Sequence, residues 1–526
     1  MKFSTYFKTR TVNHERAGAF RLTPELELYS AVASTMLNAT FYEQADERMN
    51  RIRELVGKVS PAFVAKLAVY VREKMYLRSA PVVLASELAK VHNGDNLVSK
   101  TVNRVVQRPD EILELLAYYQ MANERKEVKR LNRLSKQVQK GLSAAFNKFD
   151  EYQFAKYNRA ATVKLRDALF LVHPKAKDEE QQVIFNKIVS DSLETPYTWE
   201  TELSALGQVK FPSPAKKAEA FRQKWEELVS SQRMGYMATL RNLRNLLEAG
   251  VNTETLRQVC AYLANEKAVQ KSKQLPFRFL AAYREIKGVR LPARFIAVAG
   301  QGIEDIHRQP VYAPVVLNAL EKAIQMSMAN LRGFDADKQV VIACDVSGSM
   351  QSPVSARSKV LLYDIGLLLG MLLQSKCKNV LSGMFGDRWQ PVSLSSDNVL
   401  ENVEAFYRRE GEVGYSTNGY LVLEDLICRR HVADKVMFFT DMQLWDSQTY
   451  NQSVNNTLSA KWRQYKEIAP NAKLYLFDLA GHGQAPLRTE QDDVFLIAGW
   501  SDKIFDVLQA LEEGQDALSH IAQIEL

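Results

Sequence analysis

The spacing of apolar residues predicts that the first 334 residues fold as a succession of helices. Apolar positions recur at helical spacing in segment after segment, the loops between them are mostly short, and β-branched alternation is scarce. Thr23-Pro24 is typical, because a threonine N-cap followed by proline suits the first turn of a helix. The predicted helices span residues 25–37, 46–56, 61–74, 81–91, 100–106, 110–122, 131–148, 164–171, 179–192, 215–229, 234–248, 253–266, 276–286 and 312–329. Helices joined in this way, without a clear sequence period, indicate an α-solenoid of HEAT-like repeats.

After Gly333-Phe334-Asp335 the pattern changes to short apolar strands that alternate with amphipathic helices. The predicted strands span residues 339–344, 380–385, 435–440, 473–479 and 494–498, and the predicted helices span residues 357–374, 420–430, 458–465 and 504–511. This alternation is typical of a doubly wound, mostly parallel sheet, with residues 389–394 as a short antiparallel edge strand. We therefore predict a helical-repeat domain at residues 1–334 and an α/β domain at residues 335–526.

The first predicted strand of the α/β domain runs into Asp345-Val346-Ser347-Gly348-Ser349. This places a carboxylate and two hydroxyls on a tight turn at the carboxyl end of a buried strand, where open α/β sheets bind their ligands. Oxygen ligands of this kind suit Mg²⁺, which keeps some of its waters and takes few carboxylates. The motif therefore predicts a metal-binding surface.

Two further segments can reach the same edge of the sheet. Phe438-Phe439-Thr440-Asp441 is a strand that ends in an aspartate, and the glycine-flanked loop 414–419 offers the hydroxyls of Ser416 and Thr417, so its ligand is ambiguous by one residue. The alternative is that Asp345 and Asp441 only cap the following helices and bind loop amides.

The order of these segments resembles the metal-ion-dependent adhesion site of von Willebrand factor type A domains, with its D-x-S-x-S motif, loop threonine and strand-end aspartate. The resemblance implies that Ser347, Ser349 and Thr417 are direct ligands of a divalent cation, most simply Mg²⁺. Asp345 and Asp441 would hold the metal directly or through water. One open coordination position could then accept a carboxylate from a partner or a phosphate oxygen.

The α/β domain offers no sign of catalysis. His431 and His482 lie outside the three motif segments, and the hydrolases that use Asp-x-Asp would need an aspartate where Ser347 stands. The four cysteines are scattered without a C-x-x-C pair, so we expect reduced thiols and neither a zinc site nor a disulfide framework. No long apolar run and no hydrophobic signal core are present, so we expect a cytoplasmic protein that does not enter a membrane. Because the motif segments show no sign of catalysis, we also expect that it is not an enzyme.

The net charge of +8 conceals two halves of opposite sign. Residues 1–334 hold 52 lysines and arginines against 35 acidic residues, a net charge of +17, whereas residues 335–526 carry a net charge of −9. A basic half favours a polyanionic partner, with nucleic acid as the first candidate, although a lysine-rich, merely soluble helical surface would have the same composition.

Two basic segments account for most of this signal. Lys129, Arg133, Lys136 and Lys140 recur at helical spacing and would form one cationic stripe, which could follow a phosphate backbone or could be an ordinary solvated helix face. Residues 154–175 interleave aromatic and basic side chains, which suits stacking on unpaired bases as well as phosphate contact. The candidates in that segment are Lys156, Arg159, His173 and Lys175.

The basic half resembles the TROVE module of the Ro ribonucleoprotein autoantigen and its bacterial relatives. The segments that are similar lie at residues 22–43, 71–84, 156–175, 198–207, 234–251 and 271–283. That family joins a helical module to a von Willebrand type A domain, so the resemblance extends over nearly the whole chain. It implies an α-solenoid closed into a ring by the type A domain, and a ring closed within one chain needs no second subunit.

The resemblance also implies a function. The family's non-coding Y RNA binds the outer surface, single-stranded 3′ ends of misfolded RNAs enter the central hole, and an exoribonuclease is a partner of the bacterial relatives. His173 matches the family's RNA-contacting histidine, Lys156 the lysine of its Lys-Tyr motif, and Lys140 a basic position in the preceding helix. Beyond the motif this sequence departs from the family, and Arg159 or Lys164 is the candidate for the basic group there.

We therefore expect a Ro-like protein that binds Y-like and misfolded RNA and acts in RNA quality control or processing. The alternative is a scaffold whose type A domain binds an acidic residue of a partner protein through the metal.

Overall fold

The computed structural model describes residues 10–13, 17–35, 47–122, 134–158, 163–288, 311–327, 338–354, 358, 360–395, 397–444, 457–488, 493–515 and 518–526.

Between residues 24 and 190 the described chain forms a series of helices, and side chains cap the first turns of several of them. The hydroxyl of Thr23 accepts a hydrogen bond from the Leu26 amide, and the carboxylate of Asp150 accepts one from the Gln153 amide. The helices are α1 (Pro24–Ala33), α2 (Glu47–Val56), α3 (Pro61–Glu73), α4 (Ser79–Val91), α5 (Leu97–Val105), α6 (Pro109–Ala122), α7 (Lys136–Phe146), α8 (Glu151–Tyr157), α9 (Leu165–Val172) and α10 (Glu179–Ser190).

These helices pack on near neighbours along the chain, as a helical-repeat fold requires. Helix α3 packs on α4 and α5, α4 on α6, and α5 on α7. Helices α5 and α7 approach so closely at Gly141 that a Cβ there would lie 2.7 Å from the Ser99 carbonyl oxygen and 2.7 Å from Val102 Cβ. Between α3 and α6, the buried Arg72 guanidinium pairs with Glu111 at 2.7 Å. The prediction of a helical-repeat fold in this part of the chain is confirmed.

Residues 195–330, together with residues 397–401, form a second compact unit. The Trp199 ring stacks on Trp225 with centroids 6.0 Å apart, and the Tyr236 hydroxyl donates to the Leu263 carbonyl oxygen at 2.7 Å. The helices are α11 (Trp199–Gly207), α12 (Pro214–Ser230), α13 (Tyr236–Arg241), α14 (Leu243–Glu248), α15 (Thr253–Leu263), α16 (Glu266–Ser272), α17 (Phe277–Gly288) and α18 (Ala313–Ser327). The predicted helix at 234–248 is two short helices, because the backbone leaves helical geometry at Asn242.

The C-terminal part of the described chain folds around a sheet with strand order β5-β4-β3-β6-β7-β9. Strand β5 is antiparallel to β4 and all other neighbours are parallel, so the doubly wound sheet and its antiparallel edge are confirmed. The strands are β3 (Gln339–Asp345), β4 (Asn379–Phe385), β5 (Trp389–Pro391), β6 (Lys435–Thr440), β7 (Lys473–Asp478) and β9 (Val494–Ala498). The helices are α19 (Leu362–Gln374), α20 (Val399–Tyr407), α21 (Tyr420–Cys428), α22 (Leu458–Ile468), α23 (Ile504–Glu512) and α24 (Ser519–Ala522).

A small second sheet joins segments that lie far apart in the sequence. Strands β1 (Arg10–Val12) and β2 (Gly18–Arg21) form an antiparallel hairpin, and β2 pairs with β8 (Gln484–Ala485) of the α/β part. Helix α1 follows this hairpin, and its Tyr29 hydroxyl donates to the Ala498 carbonyl oxygen at 2.9 Å. The N-terminal hairpin and the α/β part are therefore packed together.

Packing and sequence pattern divide the chain differently. Residues 1–194, 331–396 and 402–526 form one compact unit, so the first helices group with the α/β part. The predicted boundary near residue 334 marks the point where helices give way to alternating strands and helices. Strand β3 begins soon after it, at Gln339. The division into domains 1–334 and 335–526 and the closure into a ring stay predictions.

Most of the predicted helices and strands are confirmed to within a few residues of their ends. The helix predicted at 357–374 begins later, at Leu362. Helices α8, α11, α16, α20 and α24 and the N-terminal hairpin were not expected, and each of these elements is short. None of the helices within the described ranges is long and apolar enough to cross a membrane.

Replacing Gly141 with alanine is expected to lower the free energy of unfolding by about 2 kcal/mol, the usual cost of overpacking. The added Cβ would lie 2.7 Å from atoms of α5. The cost of this overpacking exceeds the roughly 1 kcal/mol by which alanine favours a helix over glycine. Urea denaturation followed by circular dichroism measures the change. Gly207→Ala is the matched control, because an added Cβ there has no atom within 4 Å. Equal stability of Gly141→Ala and the wild type would contradict the close approach.

Candidate functional site

The two motif aspartates lie at the point where the strand order of the sheet reverses. Strand β3 has β4 on one side and β6 on the other, which is where doubly wound sheets open a crevice. Asp345 ends β3 and Asp441 follows β6, and each residue is only 1% exposed. The parallel sheet therefore delivers both carboxylates to one edge, as predicted.

The serines of the motif and the 414–419 loop come to the same place. The Ser347 amide donates to Asp345 Oδ1 at 2.9 Å, and the hydroxyl oxygens of Ser347 and Ser349 lie 3.2 Å apart. The Gly348 amide donates to the Tyr415 carbonyl oxygen at 3.1 Å, which ties the loop to the motif. Three separate segments thus meet at Asp345.

The loop presents its two hydroxyls differently. Thr417 is buried, whereas Ser416 is exposed and its amide donates to Asp387 Oδ1 at 2.9 Å. The arrangement therefore favours Thr417 over Ser416 as the hydroxyl at the site. The amide oxygen of the next residue, Asn418, is buried without a hydrogen-bond partner among the described residues.

Thr440 binds the carboxylate of Asp345, a role that the sequence did not reveal. Its hydroxyl donates to Asp345 Oδ2 at 2.6 Å and accepts a hydrogen bond from the Met442 amide at 3.2 Å. Asp441 Oδ1 in turn accepts from the Gln443 amide at 3.0 Å. Both aspartates therefore bind loop amides, as the capping alternative expects, but capping does not account for two carboxylates buried side by side.

Burial raises the pKa of Asp345 well above the usual value of a carboxyl group, and the charge of Asp441 raises it further. Hydrogen bonds from Thr440 and Ser347 oppose the rise only in part. A divalent cation would compensate both negative charges, so the donor set fits the predicted metal. The set is poor in carboxylates: no group of three or more His, Cys, Asp or Glu side chains suited to a metal occurs in the described part of the chain. Hydroxyls beside two carboxylates suit Mg²⁺ rather than zinc.

The predicted RNA-contacting residues of α7 and α9 lie on adjacent helices. Lys136 and Lys140 are exposed on α7, and Gln139 Nε2 between them donates to the Val172 carbonyl oxygen at 3.1 Å. Val172 is the last residue of α9, and His173 follows it. The hydrogen bond of Gln139 therefore places the end of α9, and His173 after it, beside the helix that carries Lys136 and Lys140.

The turn that bears His173 is fixed in position. His173 caps α9 with a left-handed backbone (φ 49°), a conformation uncommon in residues other than glycine. Asn147 Nδ2 donates to the Lys175 carbonyl oxygen at 2.9 Å, and Asn147 Oδ1 accepts from the Lys177 amide at 2.9 Å. The exposed His173 and Lys175 are thus held against the end of α7. We name Lys136, Lys140, His173 and Lys175 the cationic patch.

The lysines of the cationic patch have no carboxylate partner within the part of the chain that the structure describes. Within the described residues, none of its four members forms an ion pair with a carboxylate. Other basic residues of the same unit do form such pairs: Lys187 lies 2.7 Å from Glu151, and Arg104 lies 2.6 Å from Glu73. The lysines of the patch thus differ from Lys187 and Arg104, which the described carboxylates neutralise.

Lys156 lies on α8, which packs on α6. Its ammonium group is exposed and lies 5.7 Å from the centroid of the Tyr152 ring. The adjacent Tyr157 ring is covered by the Arg108 guanidinium, at 4.2 Å from the ring centroid. Lys129, Arg133 and Arg159, the other predicted RNA contacts, lie outside the described residues.

Sequence reasoning missed a further exposed aromatic and basic pair. The Phe170 side chain on α9 is 48% exposed, and the Arg166 guanidinium lies 5.7 Å from its ring centroid. The spacing of four residues on a helix was the signal that could have identified this pair.

Comparison with known proteins identifies the family that the helical part of the chain resembles. The family model described as the TROVE domain matches residues 25–223 and 191–297, which together cover more than half of the chain. Telomerase protein component 1 of Rattus norvegicus is 23% identical over 334 residues, and that of Mus musculus is 24% identical over 340 residues. Each alignment covers 49% of this chain but only 12% of the relative, so the chain spans a small part of these relatives' length.

A solved structure supports the same fold over most of the chain. The crystal structure of the Deinococcus radiodurans Ro (RSR) protein matches with a TM-score of 0.55 and 18% identity, and the match covers 94% of this chain and 100% of that one. At this identity the likeness shows the fold alone. On the TROVE match, the chain belongs to the TROVE-domain family.

Proposed function

We propose that this protein binds RNA as part of a ribonucleoprotein, which is the role expected of the TROVE family to which it belongs. The observation that supports this most directly is the cationic patch, whose charges have no carboxylate partner among the described residues. Arg and Lys groups that are free to contact phosphates supply most of the affinity of RNA-binding proteins, and base contacts supply the selection.

The nearby aromatic side chains favour a single-stranded segment. Tyr152 beside Lys156 and Phe170 beside Arg166 are each about half exposed, so their ring faces can stack on unpaired bases. The finer proposal is a Y-like RNA on the outer surface and single-stranded 3′ ends of misfolded RNAs as the second ligand. The protein would act as a cytoplasmic monomer in RNA quality control, with an exoribonuclease as its partner and no catalysis of its own.

Lys136→Gln together with Lys140→Gln is expected to weaken binding of a structured RNA that carries a single-stranded 3′ tail by about tenfold at moderate salt. Each lost phosphate contact should lower the slope of log K against log salt by about 0.7 to 1. Gel-shift titrations over a salt series measure both quantities. Lys187→Gln is the matched control, because Glu151 already neutralises that lysine. Absence of binding by the wild type at low salt would refute the proposal.

Replacing Lys156 and His173 together with alanine tests the contacts implied by the family motif. Both side chains are exposed, so the melting temperature should stay unchanged while RNA affinity falls by about tenfold, the cost of one or two charge-assisted hydrogen bonds. The same RNA and a thermal melt suffice. Unchanged affinity would show that these two residues do not form the site.

We further propose that Mg²⁺ binds at the edge of the α/β sheet. Ser347, Ser349 and Thr417 would hold it with Asp345 and Asp441, and the metal would offer an open position to an anionic oxygen. The two adjacent buried carboxylates support this proposal. A second function, the binding of an acidic residue of a partner protein, is favoured by the exposed Tyr415 and Ser416 beside the motif.

Asp345→Asn is expected to stabilise the metal-free protein, since it removes one of two adjacent buried carboxylates, and to abolish stabilisation by Mg²⁺. In the wild type, Mg²⁺ at about 100 times its Kd should add about 2.7 kcal/mol to the free energy of unfolding. Urea denaturation with and without Mg²⁺ measures both effects. Asp425→Asn is the control, because Asp425 pairs with Arg429 on α21. A wild type that Mg²⁺ does not stabilise would contradict the site. Unchanged RNA affinity in Asp345→Asn would show that the metal is not needed for RNA binding, and loss of partner capture in the same variant would assign it to protein binding.

The same site predicts a pH dependence. Because the folded-state pKa of Asp345 is raised, its contribution to the stability of the metal-free protein is present at acid pH and is lost as the pH rises through that pKa. Mg²⁺ competes with the proton on this carboxyl group, so its affinity should rise over the same range. Calorimetric titration with Mg²⁺ at several pH values measures the trend, and an affinity that falls as the pH rises would contradict it.

A further inference from the structure

The turn that follows β6 is buried along its whole length. Asp441, Met442, Gln443 and Leu444 are each at most 5% exposed. We name residues 441–444 the Asp441 turn. Its position decides where the second carboxylate of the proposed metal site lies.

The Asp441 turn is held in a conformation that its own sequence does not favour. Met442 has a left-handed backbone with a φ of 65°, which L side chains adopt only at an energetic cost. The local hydrogen bonds of the turn run from the Met442 amide to Thr440 and from the Gln443 amide to Asp441. Both bonds lie at its start, and the Leu444 end is supported from outside the turn.

A side chain of the N-terminal hairpin supplies that support. Asn13 is 6% exposed, and its Nδ2 donates to the Leu444 carbonyl oxygen at 2.6 Å, across 431 positions of sequence. Its Oδ1 accepts from the Ala17 amide at 2.9 Å, and its own amide donates to the Ala17 carbonyl oxygen at 3.0 Å. One end of the amide group thus closes the hairpin turn and the other end holds the Asp441 turn.

The two bonds of Asn13 call for an amide side chain. An acceptor is needed for the Ala17 amide and a donor for the Leu444 carbonyl oxygen, and asparagine provides both at the required length. Serine keeps an acceptor of the kind that closes local turns but does not span the gap to Leu444 as well. Alanine provides neither group.

We propose that Asn13 is a positioning residue for the metal site: the N-terminal hairpin holds the Asp441 turn so that Asp441 lies beside Asp345. Asn13 does not touch the cation. It fixes the backbone of the turn before the metal arrives, so that metal binding does not have to order the turn. The affinity of the α/β part for Mg²⁺ is thereby coupled to the docking of the first strands of the chain. This inference rests on the Mg²⁺ site proposed above.

Calorimetric titration of the full chain with MgCl₂ tests the coupling in four proteins. These are the wild type, Asn13→Ser, Asn13→Ala and the control Arg51→Gln. Arg51 also donates to a backbone carbonyl oxygen of the α/β part, that of Gly481, which follows β7 and not β6. We expect Kd for Mg²⁺ to rise about five- to tenfold in both Asn13 variants, the usual effect of one lost buried hydrogen bond, and to stay unchanged in Arg51→Gln.

Hydrogen exchange supplies a readout that a merely structural role would not change. The Gln443 amide is bonded to Asp441, so Mg²⁺ should slow exchange in peptides that contain residues 441–444 of the wild type and of Arg51→Gln. The Asn13 variants should show faster exchange there without metal, and recover protection only at higher Mg²⁺. Should Asn13→Ala fail to fold, Asn13→Ser retains the acceptor for the hairpin turn and completes the test.

The outcomes separate the two proposals. Absence of Mg²⁺ binding in the wild type would overturn the metal site itself. Wild-type binding with an unchanged Kd and unchanged exchange in Asn13→Ser would overturn the positioning role and leave the metal site standing. Equal weakening in Asn13→Ser and Arg51→Gln would also overturn it, because the effect would then follow from general loosening of the N-terminal segment.

Discussion

The packing of the first hairpin and helix onto the α/β part is the constraint on which the rest of this compact unit depends. Buried Asp478, at the carboxyl end of β7, accepts hydrogen bonds from the Ser30 hydroxyl and from the amides of Ala480 and Gly481. Burial raises the pKa of Asp478, so each of these donors stabilises the charged form against desolvation. One of these donors, Ser30, comes from α1. A residue of the first helix therefore satisfies a buried carboxylate at the carboxyl end of a strand in the sheet.

The sequence predicted best those elements whose stabilising interactions lie close together along the chain. Helix α3 and strand β6 were found close to their true ends, because their caps and apolar spacing are local signals. The hairpin β1–β2 could not be found in this way. Its strands are 3 and 4 residues long, and β2 pairs with β8, more than 400 residues away, a partner that no local pattern reveals.

The two candidate sites show the same contrast. The motif from Asp345 to Ser349 is compact in sequence, so its chemistry was visible at once, and the parallel sheet explains why Asp441 joins it. Thr440 and Asn13 were invisible, because their roles depend on which backbone groups the fold brings within hydrogen-bonding distance. The charge of the cationic patch was likewise predictable from the sequence. Its lack of carboxylate partners among the described residues was not, because the sequence does not distinguish these lysines from Lys187, which Glu151 neutralises in the structure.

Charge balance connects these features of the proposed metal site. With serines at positions 347 and 349, the donor set holds two negative charges, which neutralise a divalent cation without exceeding its charge. A cation held in this way still attracts an anionic oxygen from outside, whereas a third buried carboxylate would weaken that attraction. Without the metal, burial raises the pKa of Asp345, and repulsion between the two carboxylates adds to this effect. Proton and metal are thus alternative ways of relieving it, and the rigid Asp441 turn keeps the two carboxylates together in either state.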